Sequence, residues 1–317
     1  MNKFKKVGLS ALAGSLVAMS AHAAEVSMSG GASVGMYQES EADKTKFYNN
    51  DSITFTVTGE TDGGITITNS IELDASSAHA GGTDSQSTTF AMDGLGTITY
   101  GRHGASSVIG GWDSIAPTAY EEVWDAVETA ASVANNVIGG KAGNGLWRYD
   151  SPSVSGVTFS ASYDSTAETG SVSGYSDFGV QIAPEMVDGL SIGFATGEYE
   201  ESAGVDIDVE TVWVKYAYGS FTIGYQESEN DGPTAATTDE SDSWAVSYAV
   251  SDDFSISYGQ HEYEAGTDTD IQESTGFSAS YTAGGTTISA AFNSTDNIRN
   301  EATDDEDSYE IAISFAF

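Results

Sequence analysis

Ser308-Tyr309-Glu310-Ile311-Ala312-Ile313-Ser314-Phe315-Ala316-Phe317 closes the chain. Tyr309, Ile311, Ile313, Phe315 and Phe317 share one parity; Glu310, Ala312, Ser314 and Ala316 share the other. Successive side chains of an extended strand point to opposite faces. The stretch therefore has one large apolar face and one small or polar face. A run of this length crosses a bilayer as a tilted strand and is too short to cross as a helix.

The pattern repeats toward the N-terminus. Ile53, Phe55 and Val57 alternate with Thr54, Thr56 and Thr58, and Ile65, Ile67, Ile71 and Leu73 with Thr66, Thr68, Ser70 and Glu72. Further runs are Val157–Tyr163, Leu190–Phe194, Phe221–Tyr225, Trp244–Val250, Phe254–Tyr258, Phe277–Tyr281 and Ile288–Phe292. Many carry an aromatic residue near one end, where a membrane interface places a girdle.

The connections fall into two classes. Short ones, built on Gly, Asp or Ser, occur at Asp62-Gly64, Asp93-Gly96, Ser153-Gly156, Met186-Gly189, Gly219-Ser220, Ser251-Asp253 and Ala283-Gly285, as tight hairpins require. Long ones fall near 38–51, 75–87, 103–145, 165–174, 200–207, 227–241, 263–272 and 294–307. The classes alternate, so seven short and eight long connections join sixteen strands with both ends on the short-turn side. Roughly 18 residues per strand plus connection fit sixteen tilted strands of about 10 residues. The expectation is an all-β, sixteen-stranded antiparallel transmembrane β-barrel with short periplasmic turns and long external loops, in the outer membrane of a Gram-negative bacterium. A cylinder this wide cannot fill its interior with side chains, so its lumen holds water.

The N-terminus fits export. Lys3, Lys5 and Lys6 precede an apolar stretch from about Val7 to Ala18, and Ala21-His22-Ala23 supplies a small-x-small cleavage pattern. Residues 1–23 read as a cleaved secretory signal and 24–317 as the barrel. The chain has 48 acidic and 10 basic residues and a formal net charge of −38, and three of the bases lie in the leader. Such a balance repels nucleic acid and attracts cations. With no cysteine, disulfides and thiolate metal sites are excluded.

Several segments carry a resemblance: the mature start Ala24-Glu25-Val26-Ser27-Met28-Ser29-Gly30, the hairpin Gly94-Leu95-Gly96-Thr97-Ile98-Thr99-Tyr100-Gly101-Arg102, Trp147-Arg148-Tyr149-Asp150-Ser151-Pro152, Ser155-Gly156-Val157-Thr158-Phe159-Ser160, and terminal Phe317. In this order and spacing they resemble the general bacterial porins, most of all the alphaproteobacterial, Rhodobacter-type ones. The layout is shared across the mature chain, the sharp motifs across about a tenth of it. The resemblance implies a homotrimer and a third external loop folded inward to narrow the pore, with acids on that loop facing basic residues on the wall. It implies calcium as an optional ligand, with no cofactor required. Phe315 and Phe317 resemble the signal read by the barrel-assembly machinery.

The longest connection, about 103–145, holds the third external position. Tyr120, Val123, Trp124, Val127 and Ala131 recur there at helical spacing, with Glu121, Asp125 and Glu128 on another face and Glu122 beside them. With Asp113, these acids are the candidate constriction; a solvated acidic helix is the plainer reading. Arg148 and Lys215 have inward parity and suit a basic pore wall. Arg102 is the third wall candidate, but it shares parity with Ile98 and Tyr100, which places it beyond the lipid band or at a bulge beside Gly101. Lys44, Lys46, Lys141 and Arg299 read as loop ion-pair partners. Acid runs are expected in the loops: Glu227, Glu229 and Asp231; Asp239, Glu240 and Asp242; Asp268 and Asp270; Asp304, Asp305, Glu306 and Asp307. Of these, Asp304, Asp305 and Asp307 are candidate calcium ligands, with solvated charge the usual explanation.

His79, His103 and His261 lack metal-ligand spacing, and no G-x-S-x-G elbow is present, so no enzyme is expected. The composition fits passive passage of small hydrophilic solutes and ions through a lipid-embedded pore that prefers cations. A secreted or surface acidic β protein that binds calcium or acts as an adhesin is the rival reading.

Overall fold

The computed structural model describes residues 24–39, 45–74, 83–124, 139–164, 173–202, 205–234 and 238–317. Among these, sixteen antiparallel strands close into one barrel. The first eight are β1 (Glu25–Glu39), β2 (Lys46–Glu60), β3 (Ile65–Asp74), β4 (Ser85–Met92), β5 (Gly96–His103), β6 (Leu146–Asp150), β7 (Val157–Asp164) and β8 (Ser173–Ile182). The others are β9 (Leu190–Ser202), β10 (Val205–Tyr218), β11 (Phe221–Asp231), β12 (Asp239–Ala249), β13 (Phe254–Ala265), β14 (Gln272–Ala283), β15 (Thr286–Asp296) and β16 (Glu306–Ala316). Each strand pairs with its sequence neighbours, and β1 pairs with β16 to close the ring.

Closure follows the parity of the last strand. Val34 stands opposite Ile313 and Gly35 opposite Ala312, so the apolar faces of β1 and β16 continue each other. Phe317 exchanges backbone hydrogen bonds with Gly30 at 2.9 and 3.0 Å and finishes the seam. The lipid-facing parity shows as large exposed apolar groups, among them Phe159, Phe178, Phe194, Val212, Phe277, Phe292 and Phe315. Phe315 and Phe317 both lie on this outer face. No helix among the described residues is long and apolar enough to cross a membrane; strands do the crossing.

The external connections are shorter than the sequence implies. Glu227, Glu229 and Asp231 belong to β11, and Asp239, Glu240 and Asp242 to β12. Glu210 stands opposite Glu229, and Glu229 opposite Glu240. Barrel hydrogen bonding continues past the lipid, where polar side chains are free to alternate; charge marks the end of the membrane, not the end of the strand. The expected helix over Tyr120–Ala131 is absent from its described part, where Tyr120–Trp124 form bends and a turn. Its remainder, with Asp125, Val127, Glu128 and Ala131, lies outside the described residues, as do the leader, Lys44 and His79.

The buried apolar core sits inside the lumen. Val108, Ile109 and Trp112 of the third loop pack on Ala195, Ile207, Val209 and Trp213 of the wall. Ala116, Val123 and Trp124 form a second cluster with Ala245.

Candidate functional site

The third loop leaves β5 and follows the inner wall. Its root is fixed where Val108 N donates to Ser162 Oγ on β7 (2.8 Å) and Ile109 N to Asp177 Oδ2 on β8 (2.9 Å). Arg148 on β6 donates to Ser107 O at 2.9 Å. The loop then passes β11, where a Cβ on Gly224 would lie 2.6 Å from Ile115 O. Ala119 N donates to Ser257 Oγ on β13 (2.9 Å) and Tyr120 N to Ser278 Oγ on β14 (3.0 Å). Asn293 on β15 donates to Glu122 O at 3.2 Å. Tyr120 then reaches β16 through Glu310, 2.6 Å away. All these wall residues share the inward parity, so the loop lies within the lumen.

The loop carries three of the expected acids into this space. Asp113 is exposed, and Glu121 and Glu122 are partly so. Ser114 Oγ lies 3.2 Å from Asp113 Oδ1 and 3.3 Å from Glu122 Oε1; its one proton serves one carboxylate at a time. Asp113 and Glu122 are thus close neighbours of like charge on the water side of the loop.

The basic residues divide. Lys215 faces inward as expected and donates to Ser114 O at 3.4 Å. Arg148 also faces inward, but its guanidinium is engaged by Asp150 Oδ1 and Oδ2 at 3.0–3.1 Å. Arg102 does not belong to the wall. The register slips between Gln86 and Ser87, leaving Arg102 as the extra, bulged residue of β5. It donates to Gln86 Oε1 at 2.9 Å, on the outward parity of Thr88 and Phe90. Its side chain stays on the barrel's outer face, the side that its shared parity with Ile98 and Tyr100 implies. Three further bases sit in ion pairs: Lys46 with Glu39 (3.0 Å), Lys141 with Asp164 (2.6 Å) and Arg299 with Asp304 (2.7 Å).

The candidate calcium ligands do not converge. Asp304 is taken by Arg299, Asp305 accepts from Asn297 N (3.1 Å), and Asp307 accepts from Ser294 Oγ (2.7 Å). Among the described residues no group of three or more His, Asp or Glu is placed to hold a metal ion.

A family model described as Gram-negative porin matches residues 8–317. The chain belongs to the Gram-negative porin family. It is an outer-membrane β-barrel that forms a channel. Solved structures similar to this porin include mutants of Rh. blastica porin at 17% and 19% identity, with TM-scores of 0.67 and 0.66, each covering 92% of this chain and 100% of the other. A loop-deletion mutant of OmpT, an outer membrane protein of Vibrio cholerae, is 13% identical with a TM-score of 0.70, covering 93% of this chain and 99% of the other. At these identities the likeness concerns the fold. A search among curated proteins finds no match.

Several residues that shape this porin's lumen do not stand out from charge or motif. Tyr48, Tyr120 and Glu310 meet at the loop's far end. Asp177, Ser162 and Tyr175 meet at its root, where Tyr175 Oη donates to Asp177 Oδ2 at 2.9 Å and Ser162 also bonds the carboxylate. Trp112 and Trp213 pack edge to face with centroids 5.5 Å apart. One signal for the loop's seat is in the sequence. β10 is apolar on both parities, with Ile207, Val209 and Trp213 inward and Val212, Val214 and Tyr216 outward. A strand between lipid and water has no use for a second greasy face; β10 packs against a loop.

Proposed function

We propose that this porin is a cation-preferring diffusion pore, that it works without bond chemistry, and that it assembles as a homotrimer. The carrying observation is the disposition of the bases. Of the six described basic residues in the expected mature chain, four are ion-paired, Arg102 is outside, and Lys215 alone faces the lumen with no ion pair among the described residues. Opposite Lys215's small contribution stand Asp113, Glu121, Glu122 and Glu310, with Glu72 and Asp74 on the far wall. A single-sign field in a narrow, low-dielectric passage raises the local concentration of cations and excludes anions.

Reversal potentials across a planar bilayer in a salt gradient test this reading. The parent chain is expected to show a cation-selective sign, and the double variant Asp113→Asn, Glu122→Gln a smaller reversal potential of the same sign. An anion-selective parent ends the cation claim.

The trimer is supported by Asn69, which interrupts the outward row Ile65, Ile67, Ile71 in mid-strand and donates to Ser87 O and Thr88 Oγ1 at 3.0 and 2.9 Å. A polar amide on the lipid parity suits a protein contact better than hydrocarbon. Cross-linking of the unheated, detergent-extracted protein is expected to give a three-copy species. Removal of residues 1–23 and recognition of Phe315 and Phe317 by the assembly machinery complete the proposal; N-terminal sequencing of the extracted protein checks the first.

A further inference from the structure

The far end of the third loop is held by three residues that the selectivity argument does not need together. Tyr120 Oη donates to Glu310 Oε1 at 2.6 Å, Tyr48 donates to the same oxygen, and the two phenol oxygens lie 3.2 Å apart. The three come from different parts of the chain: Tyr48 from β2, Glu310 from β16, Tyr120 from the loop. β1 runs between β2 and β16, and there Gly35 stands opposite Tyr48 on one side and Ala312 on the other. A Cβ on Gly35 would overlap the Tyr48 ring. Gly35 is thus the notch through which the ring crosses β1 to reach Glu310.

Tyr120 is gripped from two directions. Its backbone N–H is held by Ser278 on β14, while its side chain spans to β16 and β2. Burial first, and then the bonds to Glu310 and Tyr48, hold its phenol well above the ordinary range, so it stays a neutral donor. Hydroxyl bonds to an ionised carboxylate are about twice as strong as neutral ones. Elsewhere its described part is held by apolar packing and by hydrogen bonds and an ion pair to single wall strands; at this end two side chains and a carboxylate tie it across the ring's closing seam.

We propose that Tyr120, Tyr48 and Glu310 are positioning residues: they tie the loop's far end to the seam and thereby set the width of the constriction, with Gly35 supplying the space. The proposal rests on the channel reading, which the parent chain's conductance tests by itself.

The experiment compares single-channel conductance of the refolded parent with Tyr120→Phe, Glu310→Ala, Glu310→Gln and Gly35→Ala, each first checked for heat-modifiable mobility on a detergent gel. Tyr120→Phe and Glu310→Ala are expected to raise conductance roughly 1.5-fold or more and to add current noise, because a freed loop end widens and fluctuates in the narrowest section. Gly35→Ala, which displaces the Tyr48 ring, is expected to move the same way. Glu310→Gln keeps an acceptor oxygen and is expected to stay nearer the parent. A purely electrostatic Glu310 predicts the opposite pattern, with Gln and Ala variants moving together and Tyr120→Phe silent; that result overturns the tie. Tyr120→Phe removes a single oxygen and keeps the ring, so it decides the matter even if Glu310→Ala does not fold. A parent that passes no current would instead defeat the channel reading.

Discussion

The two sides of the lumen wall are built from the same alternating strands, yet they answer to different neighbours. On the side from β7 to β15 the inward residues are buried: Ser162, Asp177, Thr211, Ser257, Ser278 and Ser289 among the polar ones, Ala195 and Trp213 among the apolar. On β2, β3 and β4 no residue is buried at all. There Thr58 and Thr68, and Thr89 and Thr99, bond one another across strands at 3.1 Å and face water. The third loop makes the difference. It converts one half of a wet lumen into a protein core and leaves the other half as the water path. A β-barrel's inward face is thus not one environment, and the same serine is a pore-lining hydroxyl on one side and a buried loop anchor on the other.

The strongest way to break this contrast is to remove the largest group at the loop's seat. Trp112→Ala is expected to destabilise the loop's packing by about 3–5 kcal/mol, the usual cost of emptying a buried tryptophan site. The loop should then lose its fixed seat, and single-channel current should become noisier. The matching change on the open side, Thr68→Ala, removes only the bond to Thr58, worth about 0.5–1.5 kcal/mol, and should leave conductance alone. Urea midpoints of the refolded barrels, read beside the bilayer recordings, check both. Equal effects would mean that the loop is not seated as described.

Glycine offers a sharper version. Gly224 lies under the loop, and a side chain there meets Ile115 O at 2.6 Å and Pro117 Cδ at 2.8 Å. Gly224→Val should cost about 1–3 kcal/mol by overpacking and should shift the loop toward the open side, lowering conductance. At Gly59 on β2 an added Cβ meets nothing within 4 Å. Gly59→Ala should change neither stability nor current.

How much of this is legible in the sequence follows from the same contrast. The barrel is readable because lipid and water impose opposite demands on alternate residues; from Tyr309 to Phe317 the parity alone gives the outer face. The loop's length and position single out Asp113, Glu121 and Glu122 as candidates, while its inward fold is implied only by the porin resemblance. The seat is only half readable. Gly179, Gly224 and Gly276 have inward parity, and each leaves room for a loop residue: Trp112, Ile115 and Val123. A glycine in a strand looks the same whether it makes room or merely tolerates a bend. The tie is not readable at all. Tyr48 and Glu310 lie 262 positions apart, and only ring closure through β1 brings them together. Strand ends are misread for a simpler reason: beyond the lipid, Glu227, Glu229 and Asp231 replace the apolar row Phe221, Ile223 and Tyr225 with charge, so the alternation that marks a strand stops before the strand does.

The smallest expected effect separates the two arginines grouped as candidates for the basic pore wall. Arg148 points into the lumen, pairs with Asp150 and holds Ser107 O at the loop's root. Arg102 bulges outward onto Gln86 and touches neither the loop nor the water path. Arg148→Gln should therefore loosen the root and shift the reversal potential by leaving the Asp150 carboxylate unpaired inside the lumen. Arg102→Gln should move the reversal potential not at all and stability by no more than about 0.5 kcal/mol, as for an ordinary surface change. The comparison is demanding because the residues have the same charge and lie on neighbouring elements of the same barrel, β5 and β6. The face of the wall that each occupies distinguishes them. If Arg102→Gln changes ion selectivity as much as Arg148→Gln does, its side chain does not lie on the outer face, and the division of the wall must be redrawn from β5 onward.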